Sequence, residues 1–152
     1  MINPFDDTYF MKKALQEAEI AFEKGEIPVG AVIVIENRII AKGHNLTETL
    51  NDVTAHAEMQ AITAAANFLG GKYLQNCTLY VTLEPCPMCA GALLHSRVKR
   101  IVYGAPDLKA GAAGTVLNLF ESQASYHYAT IEKGLLEDEC RIQLQSFFKR
   151  RR

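Results

Sequence analysis

Short apolar runs of strand length alternate with stretches of helical periodicity along nearly the whole chain. Asp7 to Lys24 sets Phe10, Ala14, Ala18, Ala21 and Phe22 at helical spacing, and Gly25 ends it. Pro28 to Ile35 reads as a buried strand, and Glu36-Asn37 turns the chain into a second strand, Arg38 to His44, so the two form an antiparallel hairpin. Thr54 is placed to cap a helix from about Ala55 to Phe68, which Gly70-Gly71 stops. Thr78 to Leu83 follows as a strand, Pro87 to Ser96 as a helix and Arg100 to Gly104 as a strand. Asp107 to Gly114 is loop-like, Val116 to Phe120 a short helix, Ala129 to Glu132 a last strand and Leu136 to Lys149 a closing helix. Such alternation buries its apolar faces as layers. It predicts an α/β, three-layer α/β/α architecture, with helices on both faces of a mixed sheet of about five strands.

At 152 residues, with no internal repeat and no linker, the chain is expected to be a single domain, 1-152. Hydrophobic residues make up 49% and charged residues 22%, as in soluble globular proteins. No window reaches the roughly 18 to 20 consecutive apolar residues that span a bilayer. Met1 to Asp7 lacks the basic and apolar regions of a secretory signal, so a cytoplasmic location is expected. Without a secretory context the four cysteines do not suggest disulfides, and the single Cys77 and Cys140 read as small buried hydrophobes. The net charge is −1, but Lys149, Arg150, Arg151 and Arg152 close the chain as a basic block on an acidic body. That block suits contact with nucleic acid, and equally a solvated tail.

Two short motifs carry the chemistry. His56-Ala57-Glu58 and Cys86-Pro87-Met88-Cys89 each fall at the start of a predicted helix, just after extended chain. Zinc favours nitrogen and thiolate donors in a tetrahedron, and a catalytic zinc takes three protein ligands and leaves the fourth position to water. His56, Cys86 and Cys89 supply three, and no fourth candidate lies close by in sequence, so one Zn2+ per chain is expected. Cys86 and Cys89 share one face of the first helical turn, where unpaired N–H groups and the helix dipole favour the thiolate. Pro87 at the first helical position removes an amide hydrogen that would have had no partner. Glu58, with three better ligands already present, is free to take a proton from zinc-bound water and pass it to a substrate. Residues two apart on a regular helix do not face the same way, so His56 must sit at an irregular helix start for the two to converge.

Taken singly, a His-x-Glu is a common surface pair, and a C-x-x-C serves as a redox pair or as half of a structural zinc site. After Cys89 only His95, His127 and Cys140 remain, without finger spacing. The two motifs in this order match the signature of the zinc deaminases of nucleobases.

Beyond the motifs, the segments Pro28 to Val32, Thr54 to Glu58, Leu79 to Ala92, His95 to Arg97, Tyr103 to Asp107, Lys109 to Gly114 and Asp138 to Cys140 together resemble the bacterial tRNA adenosine deaminases. The resemblance covers nearly the whole chain. It implies a cytidine-deaminase-like fold, a homodimer, and hydrolysis of adenosine to inosine at the wobble position of a tRNA anticodon stem-loop. It also implies that Asn45 hydrogen-bonds a flipped nucleoside, that Val29 lines the base pocket and that Asp107 lies in the groove for flanking nucleotides. From the residues alone, Asn45 reads as well as a turn residue, and Asp107 as a turn or helix cap. Lys109 and the run Lys149 to Arg152 could neutralise phosphates or simply face solvent. His95 reads as a packing or RNA-edge residue, and His44 and His127 carry no assignment. The zinc segment is shared with relatives that deaminate free bases, so deamination of free guanine, cytosine or a nucleoside is the alternative. A non-catalytic zinc-stabilised RNA-binding module would leave Glu58 unexplained. Ser125 to Tyr128 departs from the commonest pattern of the family.

Overall fold

The computed structural model describes residues 3–121 and 127–151. Arg152, and Ser125 and Tyr126 of the divergent segment, lie outside the described residues. Among the described residues, four α-helices and five strands follow in the order α1 (Asp7–Glu23), β1 (Gly30–Ile35), β2 (Arg38–His44), α2 (Ala57–Leu69), β3 (Thr78–Leu83), α3 (Pro87–Ser96), β4 (Arg100–Ala105), β5 (Thr130–Lys133) and α4 (Glu137–Arg150). The strands form one sheet in the order β2-β1-β3-β4-β5. β1 is antiparallel to β2 and β3, whereas β3, β4 and β5 run parallel, so the sheet is mixed as expected.

Side chains alternate across a strand, and the two cores divide accordingly. Ala31, Ile33, Leu79, Val81, Ile101 and Tyr103 face Ala57, Ala61 and Ala65 of α2 and Ala90 and Leu93 of α3. Val32, Val34, Tyr80 and Val102 face Phe10, Met11 and Ala14 of α1 and Cys140 of α4. α2 and α3 therefore cover one face of the sheet and α1 and α4 the other. Cys77 and Cys140 are free thiols with no exposed surface, packed as small apolar groups. No helix among the described residues is long and apolar enough to cross a membrane.

Local chemistry sets the boundaries. The Asp6 carboxylate accepts the Tyr9 amide at 2.9 Å and caps α1. Glu36 and Asn37 both adopt positive φ, 50° and 61°, which matches the twist of a tight hairpin between β1 and β2. Thr54 does not cap α2. Its hydroxyl and amide both turn back to Asp52 Oδ1, at 2.7 and 2.8 Å, and the capping position passes to His56. The expected helix over Val116 to Phe120 is instead a single 3₁₀ turn, Leu119–Glu121, preceded by a bridge between Ala113 and Asn118. The Gly-rich stretch before it spends its amides on other partners, so no helix propagates through it.

Two helices sit so close to the sheet that no side chain fits between. A Cβ on Gly30 would lie 2.0 Å from the Ala14 carbonyl of α1, and one on Gly43 would lie 2.4 Å from the Ala57 carbonyl and 2.7 Å from the Ala61 amide of α2. Gly43 matters more for the site, because it seats the first turn of α2. We expect Gly43→Ala to lower stability by roughly 1–3 kcal/mol by levering α2 off β2. Urea unfolding reads this directly, and an unchanged midpoint would show that the helix docks without needing that gap.

Candidate active site

The starts of α2 and α3 are built alike. His56 and Cys86 occupy their N-cap positions in extended conformations, with φ/ψ of −73°/159° and −77°/172°. Neither side chain makes a capping hydrogen bond, so both remain available for other chemistry. The extended backbone at His56 also answers the sequence's geometric demand: the residue stands outside the helix, and its ring can turn toward the same point as Glu58.

His56 Nδ1 lies 3.6 Å from Cys86 Sγ and 3.5 Å from Cys89 Sγ. All three donor atoms lie within 4.8 Å of one another. Bonds of about 2.0–2.3 Å to a tetrahedral centre imply edges of roughly 3.5 Å, so the set fits a single soft cation. Among the described residues it is also the one group of three or more potential ligands with that spacing. Cys86 is drawn down to about 4, chiefly because it accepts the Cys89 thiol proton, with a further bond from His56, against the cost of burial. That same bond, with burial, pushes Cys89 up, and the Cys86 thiolate raises His56. Charge is thus concentrated on a half-buried thiolate beside two protons that a metal ion can displace.

Glu58 is buried, with 4% of its surface exposed. Burial lifts its carboxyl to about 7, and the negative charge on Cys86 pushes in the same direction. A carboxyl poised near neutral pH can both accept and give up a proton, as general acid–base catalysis requires.

A cavity of about 170 Å³ opens over this group. Val29, Asn45 and Asp107 line it together with His56, Glu58 and Cys86. Asn45 Oδ1 accepts the Thr47 amide at 3.4 Å, while Asp107 Oδ1 accepts the amides of Lys109 and Ala110 at 3.0 and 3.2 Å, and each residue still borders the cavity. Lys109 is exposed and does not line it, nor do Lys149, Arg150 or Arg151. The Arg150 guanidinium lies over the Phe22 ring at 5.3 Å, and that of Arg151 over Phe147 at 4.8 Å. His44 lies between Glu17 and Lys24, 3.2 Å from each, and His127 Nε2 is 2.9 Å from the Val98 carbonyl. His95 is exposed on α3.

Two buried carboxylates escaped sequence reasoning. Glu26 has no exposed surface, and it accepts the Glu48 amide at 3.1 Å and both the amide and hydroxyl of Thr49 at 2.6 Å. Burial opposes its ionisation, but the bonds from Thr49 and Glu48 outweigh it and hold the carboxyl below its ordinary value. It thereby pins the loop that carries Asn45 and Thr47 beside Ile27 and Val29. Glu84, 2% exposed, borders the cavity directly. The available signal was an acidic residue wedged among apolar ones just before a proline or one residue short of it, in Leu83-Glu84-Pro85 and Glu26-Ile27-Pro28.

A His/Cys/Cys trio spaced for a metal ion and a buried glutamate thus stand at the starts of two helices on one sheet face. The model of the MafB19-like deaminase family matches residues 5–151. The tRNA-specific adenosine deaminase of Bacillus subtilis is 51% identical over 143 residues, covering 94% of this chain and 89% of the relative. That of Aquifex aeolicus is 49% identical over 144 residues, covering 95% of each. A solved structure from a study of A-to-I editing by tRNA:A34 deaminases superposes with a TM-score of 0.87 at 45% identity, over 90% of this chain and 99% of the other. A guanine deaminase from Bacillus subtilis is more distant, with a TM-score of 0.66 and 36% identity over 96% of this chain and 94% of its own. The chain belongs to the family of the tRNA-specific adenosine deaminases.

Whichever way its amide turned, Glu26→Gln would aim an NH₂ at a backbone N–H, that of Glu48 or that of Thr49. We expect a loss of roughly 2–4 kcal/mol in urea unfolding, since bonds to a charged acceptor are broken inside the protein. Wild-type stability would mean that the loop is held by other contacts.

Proposed function

We propose that the protein hydrolyses adenosine to inosine at the wobble position of a tRNA anticodon, using one Zn2+ per chain held by His56, Cys86 and Cys89. The observation that carries this reading is the convergence of the three donor atoms with a buried Glu58 at the base of one cavity. Its preference for adenosine in tRNA rests on the higher identity and TM-score of the tRNA enzymes compared with the guanine deaminase.

When bound, zinc supplies the Lewis acidity that lets water act as a nucleophile at neutral pH. Glu58 takes a proton from the attacking water as its oxygen adds to C6 of adenine, and delivers that proton to the ring nitrogen. A second proton passes to the exocyclic nitrogen, the C–N bond breaks, and ammonia leaves as the C6 oxygen becomes the carbonyl of inosine. The base must leave its stack to reach this depth, and Val29 offers an apolar wall while Asn45 offers donors and an acceptor for its polar edge or ribose. Asp107 borders the path of flanking nucleotides, and Lys109, Lys149, Arg150, Arg151 and Arg152 meet phosphates. Residues 1–152 act as one deaminase domain. The chain works as a homodimer by its family resemblance, and in the cytoplasm, where its proposed substrate is found.

An anticodon stem-loop bearing adenosine, assayed beside guanine and cytosine, tests the substrate. Inosine is expected, and faster ammonia release from either free base would replace this reading with its alternative. Glu58→Ala should keep its zinc and fold but lose about 10²–10⁴ in turnover, the usual worth of a positioned acid–base. Near-normal turnover would remove Glu58 from the mechanism. Chelation should abolish activity and added zinc restore it, whereas substitution of His56, Cys86 or Cys89 should lower zinc content itself. Because Arg151 also bonds the Gly25 carbonyl, the basic end is better neutralised than deleted. Lys149→Gln with Arg150→Gln should flatten the salt dependence of RNA binding by roughly 0.7 in slope for each phosphate no longer neutralised. An unchanged slope would mark these residues as a solvated end.

A further inference from the structure

We propose that Glu84 is a positioning residue, whose carboxylate gathers the 107–115 loop around itself and so fixes the Asp107 wall of the substrate cavity. This rests on the function proposed above. Glu84 follows β3 and stands two residues before Cys86. Its Oε1 accepts the Asp107 amide at 3.1 Å and the Thr115 hydroxyl, while Oε2 accepts the Ala113 amide at 2.9 Å and the Thr115 amide at 3.2 Å. Among the described residues no Lys, Arg or His forms an ion pair with it. A buried anion without a cation is stabilised here by backbone dipoles, as in other nests of N–H groups.

A carboxylate has about four lone-pair sites. Four donors from a single loop already occupy them, so Glu84 has none to offer a substrate although it borders the cavity. Its role therefore passes through the loop. The loop's sequence fits this task, because a Cβ on Gly111 would lie 2.5 Å from both the Glu84 Cδ and Oε1. Small residues on either side, in Ala110-Gly111-Ala112-Ala113, let the backbone close over the carboxylate. Two main-chain bonds, both at 2.9 Å, add to this: Ala112 N to the Pro85 carbonyl registers the loop against the segment leading to Cys86, and Glu84 N to the Ala105 carbonyl ties that segment to the end of β4. The first amide that Glu84 accepts belongs to Asp107 itself. Among these ties, the Glu84 side chain is the one that reaches the Asp107 wall itself.

Glu84→Gln keeps the shape, but whichever way its amide turns, the NH₂ faces backbone N–H groups, that of Asp107 on one side or those of Ala113 and Thr115 on the other. On the anticodon stem-loop we expect KM to rise about tenfold, with kcat changed far less and zinc content unchanged. Asp107→Ala should raise KM similarly. In the double variant the two effects should not multiply, because both act through the same wall. Multiplied effects, or an unchanged KM in Glu84→Gln, would overturn the proposal. Hydrogen exchange on the substrate-free protein supplies a readout independent of activity: the amides of Asp107, Ala113 and Thr115 should be protected in the wild type and exchange faster in the variant. Equal protection would also refute it. Should Glu84→Gln fail to fold, Gly111→Ala and Thr115→Val decide the matter, each expected to raise KM with zinc retained; unchanged KM in both rejects the proposal. Failure of the wild type to form inosine would instead sink the proposed substrate and leave the exchange result standing.

Discussion

The imidazole of His56 and the two thiols of Cys86 and Cys89 come from the starts of different helices, separated by a strand and two loops, yet the imidazole nitrogen stands 3.5–3.6 Å from each sulfur. The architecture around them serves that meeting. It requires α2 and α3 on the same face of the sheet, and both capping residues extended so that their side chains are free. Gly43 lets the first turn of α2 settle against β2, and parallel pairing of β3 with β4 directs α3 back over the same face. Cys89, fully buried, joins the His56/Cys86/Cys89 trio to the core, while the half-buried Cys86 borders the cavity. A displacement of either helix start would separate the three donor atoms from one another and from Glu58.

Much of this was legible in the sequence, because hydrophobic periodicity and glycine stops are local signals. The alternation of elements gave the layers, and the positions of His56, Glu58, Cys86 and Cys89 at helix starts gave the site. Thr54 misled because its hydroxyl had a nearer acceptor in Asp52, a competition that propensity does not register. The segment before Leu119 misled for a related reason. Its amides are taken by the Glu84 side chain and by the bridge to Asn118, so apolar spacing there never becomes a helix.

Glu26 and Glu84 were invisible for a deeper reason. A buried carboxylate is tolerable only when its partners are in place, and those partners are backbone amides, which every residue but proline carries. No residue type at positions 48, 49, 107 or 113 announces that its N–H will point at a glutamate. The two residues flank the cavity in complementary ways: Glu26 holds the loop of Asn45 and Thr47, and Glu84 holds that of Asp107. The cavity is thus framed on two sides by acids whose oxygens are taken up by loop donors.

Neither of these carboxylates relies on a Lys or Arg among the described residues. Mobile ions screen exposed charges over about 8–10 Å but reach buried dipolar contacts much less. The basic residues at the end of α4 and at Lys109, by contrast, are exposed, and any hold they have on a polyanion weakens as counterions compete. Ionic strength therefore acts on the two halves of recognition unequally. With tRNA as the proposed substrate, it would govern how often an RNA is captured, and leave nearly untouched the shape of the cavity that receives its base.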